Sequence, residues 1–171
     1  MHVYIKNLNY LKEVRTLRSL LKYNKIDAML PVYVNGVGNC TEIVTAEASQ
    51  IKSLTIETCI KNLADYYNIS LYHNRINYGR ELGIVNKVPI VINENFIYIY
   101  INVRKPLFNH DAAYGYVAFG SIDDVYEHEG YALIRLQSGR MIQTRQSVSS
   151  IKKMMLYARL SKDIYKERNF K

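Results

Sequence analysis

Arg75, Lys87, Arg104 and Lys105 are the side chains of this sequence whose type and spacing point most directly to chemistry, and that chemistry is the holding of an anion. A guanidinium takes phosphate oxygens in pairs, and an ammonium adds a point charge on a flexible stem. Farther along, Arg140, Arg145, Lys152 and Arg159 extend the set as candidate phosphate contacts. An opposite kind of site is also written in the chain: His110-Asp111, Asp123-Asp124 and Glu127-His128-Glu129 could supply metal ligands or an acid–base pair. They come without an HExxH helix, a phosphate-cradling glycine loop or a nucleophile elbow, so they read as solvated acidic loops. No catalytic residue, metal or cofactor is expected. Cys40 and Cys59 have no CxxC partner and no His in ligand spacing, and read as buried thiols in a reducing compartment.

The net charge is +8, and its distribution says more than its sum. Residues 1–25 carry six cations against Glu13, and residues 140–171 carry nine against Asp163 and Glu167. The stretch between them holds eight cations and twelve acids. Two basic ends around a mildly acidic body suit a surface that meets a polyanion, nucleic acid first. With 171 residues, 49% of them hydrophobic, the chain is about one domain long and too apolar to be disordered. No apolar run reaches the ~18–20 residues of a membrane span, and the first residues lack a signal-peptide pattern. A cytoplasmic, nucleoid-associated protein is the expectation.

The elements that must position these cations can be read in order. Residues 8–23 form an amphipathic helix on Leu11, Val14, Leu17 and Leu21, which makes up most of a helical extension (1–22) ahead of a single domain (23–171). Residues 26–34 and 40–46 make a hairpin about Asn35-Gly36-Val37-Gly38, with Pro31 marking an edge strand or a bend. A helix capped by Ser53 or Thr55 runs to about Tyr67 on a stripe of Ile56, Cys59, Ile60 and Leu63. Residues 88–93 and 96–103 pair about Asn93-Glu94-Asn95, which brings Lys87 and Arg104-Lys105 to one open end. A strand begins at Tyr114, residues 122–128 form an acidic connection, and residues 131–136 and 141–145 close a third hairpin at Ser138-Gly139. The last helix, about residues 150–166, follows Ser147 or Ser149 and buries Ile151, Met154, Met155 and Ala158. The fold class is α+β: a mostly antiparallel sheet or partial barrel of β-hairpins, with a central helix and basic N- and C-terminal helices.

Residues 63–93 admit two nucleic-acid readings. Leu63-Ala64, Ile69 and Ser70 fall where a helix-turn-helix wants its apolar anchor, small residue, turn hydrophobe and second cap. The second half breaks that pattern, because Asn74 and Asn77 occupy positions that should point inward, where asparagine would lack partners. The alternative is a Tyr-rich connection that leaves Asn74 and Asn77 outside the core and brings Arg75 beside Lys87.

Several segments taken together resemble the ComK family of bacterial competence transcription factors. Ala28-Met29-Leu30-Pro31 is similar to an early strand ending in proline, and Ile56-Glu57-Thr58-Cys59 with Tyr66-Tyr67 to a cysteine-bearing helix followed by aromatics. Tyr72-His73-Asn74-Arg75, Lys87-Val88-Pro89-Ile90, Tyr114-Gly115-Tyr116-Val117 and the end from Ser138-Gly139 to Arg159 continue the likeness in order. Asn74 replaces a glycine and Val88 a proline. The resemblance implies an oligomeric transcriptional activator that binds A/T-rich duplex DNA through the minor groove. Its expected partners are that DNA, further copies of itself and RNA polymerase, with no membrane and no small-molecule cofactor. A narrow A-tract groove draws in arginine without a major-groove helix. Arg75 is then the first candidate for groove contact, followed by Lys87, Arg104 and Lys105. Two rival readings remain: a single-strand or RNA binder that stacks bases on Tyr98 and Tyr100, and a protein-interaction module with no nucleic-acid partner.

Overall fold

Alternation of apolar side chains dictates most of what forms. The computed structural model describes residues 5–6 and 26–170. The amphipathic segment 8–23 therefore lies outside the described residues. Of the extension, only the backbone of strand β1 (Ile5–Lys6) is seen, paired in parallel with Tyr33 and Val34.

Strands β2 (Ala28–Val34) and β3 (Gly38–Val44) form the first hairpin, and β4 (Ser49–Lys52), which the sequence reading passed over, pairs with β3. After helix α1 (Ile56–Tyr66) and helix α2 (Leu71–Leu82) come β5 (Ile90–Asn93), β6 (Phe96–Asn102) and β7 (Tyr114–Ala118). These strands build one large sheet in the order β4-β3-β2-β7-β6-β5. A smaller antiparallel sheet follows from β8 (Ile122–His128), β9 (Tyr131–Leu136) and β10 (Met141–Gln143), and helix α3 (Val148–Asn169) ends the described chain. Mostly antiparallel α+β is therefore the architecture, with two open sheets rather than a closed barrel.

The period-two pattern of β6 sorts the core. Ile97, Ile99 and Ile101 face α3 and the small sheet, in a cluster with Val117, Ile134, Ile151 and Ala158. Tyr98 points the other way into a second cluster with Met29, Ile43, Cys59 and Leu63, where α1 covers the sheet. Each helix starts at a hydroxyl that accepts a backbone N–H, which typically contributes about 1 kcal/mol. The caps are Thr55 for α1, Ser70 for α2 and Ser147 for α3.

Four sequence expectations need correction. Residues 122–128 are a strand, not a connection, because Ile122 and Val125 bury into the core while the acids between them stay exposed. Asp123, in that strand, holds the Arg135 guanidinium at 2.7 Å across to β9, so this acidic run is partly neutralised by an ion pair. Strand β2 is internal, not an edge; Pro31 sits between the stretch paired with β7, at Ala28 and Met29, and the stretch paired with β1. The proline thus falls where one flank of the strand changes partners. Gly115 permits the close approach of β7 there, since a Cβ would lie 2.6 Å from the Met29 carbonyl oxygen.

The remaining corrections concern residues 68–83. They hold a true helix, α2, entered through Asn68 in the left-handed region (φ 55°) and left through Gly83 (φ 66°). Asn74 is buried, not solvent-facing, and it has partners. Its Nδ2 donates to the Pro89 carbonyl and its Oδ1 accepts from the Val91 N–H, both at 3.0 Å. Strand β5 is the edge of the large sheet, and the carboxamide completes its backbone pairing as a neighbouring strand would. Even so, α1 and α2 do not make a compact helix-turn-helix: α1 packs on β2 and β3, and α2 on β5 and α3.

Both cysteines are free and buried. Burial pushes the Cys59 thiol up, and also the phenols of Tyr98, Tyr100 and Tyr116. The unfolded chain gives up these protons at lower pH than the folded one, so stability is full at neutral pH and falls as pH climbs. Melting temperature is expected to hold through neutrality and drop above about pH 9, where unfolded thiols and then phenols ionise. Circular-dichroism melts across that range check this; an unchanged melting temperature at high pH would contradict it.

Candidate nucleic-acid interface

The guanidinium of Arg104 is fixed before any ligand arrives. Arg104 follows β6, and its backbone N–H reaches the Ala113 carbonyl, which turns the side chain over the β2–β3 hairpin. Nε donates to the Ala112 carbonyl at 2.7 Å, Nη2 donates to the Asn39 Oδ1 at 2.7 Å, and the guanidinium lies 4.0 Å from the centre of the Tyr33 ring. Asp111 ties the surround together, accepting from the Tyr33 hydroxyl at 2.5 Å and from Asn39 Nδ2 at 3.4 Å. Partial burial pulls the Arg104 pKa down, while Tyr33 and Asp111 pull it back. Asp111 is thus an acceptor in this network. Among the described residues, no group of three or more His, Cys, Asp or Glu is placed to hold a metal ion.

Arg104 is one of the residues lining a cleft of about 640 Å³ between the large sheet and strand β10, with its guanidinium held on the Tyr33–Asn39 face of the hairpin. Three more of the sequence-predicted cations, Lys105, Arg140 and Arg145, line it. Arg140 leaves the Ser138-Gly139 turn and stands 3.5 Å from Glu42, a carboxylate buried in β3. Arg145 is exposed, and its backbone N–H donates to the Asn102 carbonyl at 2.8 Å, joining the small sheet to the open end of the β5–β6 hairpin. Four cations from sequence-distant segments therefore meet at one place.

The other four do not line the cleft. Lys87 has φ 55° and its Nζ reaches the Tyr114 hydroxyl at 2.5 Å. A nitrogen so near the hydroxyl sits past the ring edge, so this contact is a hydrogen bond before it is a cation–π one. Because Tyr114 pairs with Asn102, Lys87 does belong to the same open end of the sheet. Arg75 is on the exposed side of α2, where its charge reaches Tyr100. Arg75 thus stands on the helix itself, whereas Lys87 lies beyond the helix end and is held by Tyr114. Lys152 and Arg159 are exposed two turns apart on α3, beside Phe119, Met155 and Leu156. Lys166, next on that stripe, lies 3.8 Å from Glu94.

Burial removes Tyr98 from the base-stacking role, while Tyr100 is only half-buried. Tyr98 is 1% exposed and donates its hydroxyl to the Ile26 carbonyl, and Tyr100 stacks edge-on against Tyr116. The sequence reading missed Tyr33, Asn39 and Glu42. Their only local signal was alternation within a hairpin, which says which face a residue takes but not what crosses it. No described helix is long and apolar enough to cross a membrane. Comparison with known proteins gives no match, whether to a family model, a curated protein or a solved structure.

Proposed function

We propose that the chain is a sequence-specific, non-enzymatic regulator that binds duplex DNA. The observation that carries the reading is the meeting of Arg104, Lys105, Arg140 and Arg145 around one cleft, with Lys87 at the same end of the sheet. Such clustering brings phosphates to one face, while Asp123 and Asp124 of β8 pair with Arg135 elsewhere. The preference for A/T-rich sites, minor-groove entry, oligomeric binding and activation through RNA polymerase rest on the resemblance to the ComK family. Lys105 and Arg145 are the phosphate contacts at the rim, and Arg75 on the exposed side of α2 is the groove candidate. Lys152 and Arg159 extend the phosphate track along α3.

A second reading has one observation in its favour. The outward face of the small sheet exposes Tyr126, Tyr131 and Met141 beside Arg135, a surface on which unpaired bases could stack. Selection of bound sequences from random duplexes, with single strands as competitors, separates the two. Enrichment of A/T-rich duplexes supports the first. Equal recovery of G/C-rich duplexes at matched salt removes it, and tighter binding of single strands promotes the second.

A further inference from the structure

The outer crest of α3 carries a pattern that phosphate contact does not use. Ile151, Ala158 and Ser161 are buried against the body. At about 3.6 residues per turn, the opposite side of the helix presents Lys153, Leu156, Leu160, Asp163 and Glu167. The three charged residues are exposed, and the two leucines, one turn apart, are 53% and 42% exposed. Beside Leu156 a hollow of about 210 Å³, lined also by Phe119, Lys152, Met155 and Arg159, can seat an apolar side chain from a facing helix. Charge runs one way along this crest, with the cation before the leucines and the acids after them. Among the described residues, the ion pairs of α3 join Lys166 to Glu94 and Arg168 to Glu81, and Asp163 and Glu167 take no part in them.

The crest is its own complement. Leu156 and Leu160 are equidistant from Ala158, and so are Lys153 and Asp163. A second α3 laid antiparallel on the first, with a two-fold axis at Ala158, sets Leu156 of one copy against Leu160 of the other. It also sets Lys153 against Asp163, at two symmetric places. Glu167 then meets Ser149 in the first turn of the facing helix, where a carboxylate is favoured. A parallel pairing would instead put Lys153 on Lys153 and Asp163 on Asp163. We propose that two copies of this chain form a two-fold dimer through this antiparallel crest. One helix crest per copy is a small interface, so the dimer is weak and reversible. It forms without nucleic acid and stands or falls apart from the DNA reading. Where that reading holds, the two-fold axis turns Lys152 and Arg159 of both copies to the same side, and one duplex can meet both basic stripes.

The test is sedimentation equilibrium of the full chain without nucleic acid, from about 1 µM to 1 mM, which should show a reversible monomer–dimer equilibrium. Leu156→Glu sets a charge at the apolar centre of the contact and should weaken the dimer at least about ten-fold. Lys153→Glu and Asp163→Lys each place like charges opposite one another at two sites, and each should weaken it about five- to thirty-fold. The double variant restores opposite charges and should return Kd to within about three-fold of the parent. Along one helix these two positions lie about 15 Å apart, beyond a Debye length, so the rescue cannot come from within a chain. All three positions are exposed, and circular dichroism checks that each variant is folded. A monomer at every concentration would overturn the proposal and leave the crest to a different partner. So would a dimer that Leu156→Glu leaves intact, or a double variant no tighter than either single one.

Discussion

Replacement of Asn74 by alanine is expected to lower folding stability by about 2–6 kcal/mol, because two buried backbone groups lose their partners at about 1–3 kcal/mol each. Those groups are the Pro89 carbonyl and the Val91 N–H on the outer edge of β5. The orientation of the carboxamide follows from chemistry: a carbonyl needs a donor and an N–H an acceptor, so only one of its two flips serves both. Urea denaturation of the two proteins measures the difference, and a midpoint within experimental error of the parent would sink the assignment. Asn74→Asp adds a sharper readout. An ionised carboxylate accepts from Val91 but repels the Pro89 oxygen, whereas a protonated one donates to it. Burial and that repulsion raise the folded pKa above the unfolded carboxylate value of about 3.9, so the variant's deficit should shrink as pH falls through the folded pKa. A deficit independent of pH would mean that the side chain only fills space.

The second large effect concerns salt. If an oligomer of this chain neutralises about 6–10 phosphates, raising monovalent salt from about 50 to 200 mM should weaken duplex binding by roughly 10³–10⁵-fold. Lys105 and Arg145 are the side chains to change, because both are exposed and line the cleft from different segments. Each, changed to glutamine, should reduce the log–log salt slope by about one per protomer while leaving the A/T preference in place. Arg104 is a poorer choice for this measurement. Its bonds to Asn39 and Ala112 hold the 103–113 loop on the β2–β3 hairpin, so its loss mixes stability with affinity. Fluorescence anisotropy over a salt series gives the slopes. If both substitutions leave the slope unchanged, the cleft rim is not where DNA lies. The sequence preference is a separate matter: Arg75→Ala should relax it, and an intact preference in that variant would remove Arg75 from the groove.

Local chemistry in the sequence determined much of this protein. The alternation in residues 96–103 set which side chains of β6 enter which core, and Asn35-Gly36 and Ser138-Gly139 placed two hairpin turns. The hydroxyls of Thr55 and Ser147 started two helices, and the hairpin about Glu94 returned Arg104-Lys105 to the open end that also holds Lys87. These features depend on neighbours a few residues apart, so reading in order suffices. The tertiary structure decided what depends on distant partners. Asn74 looked unfit for burial because its partners, Pro89 and Val91, lie on an edge strand that only the folded sheet supplies. Residues 122–128 looked like an acidic loop because Arg135, which pairs their charge, belongs to the next strand. The cleft itself was invisible for the same reason: its floor comes from β2 and β3, its walls from the 103–107 segment and from β10, and no stretch of sequence contains it. Basic character could be counted along the chain; its convergence on one cleft required the packing of two sheets.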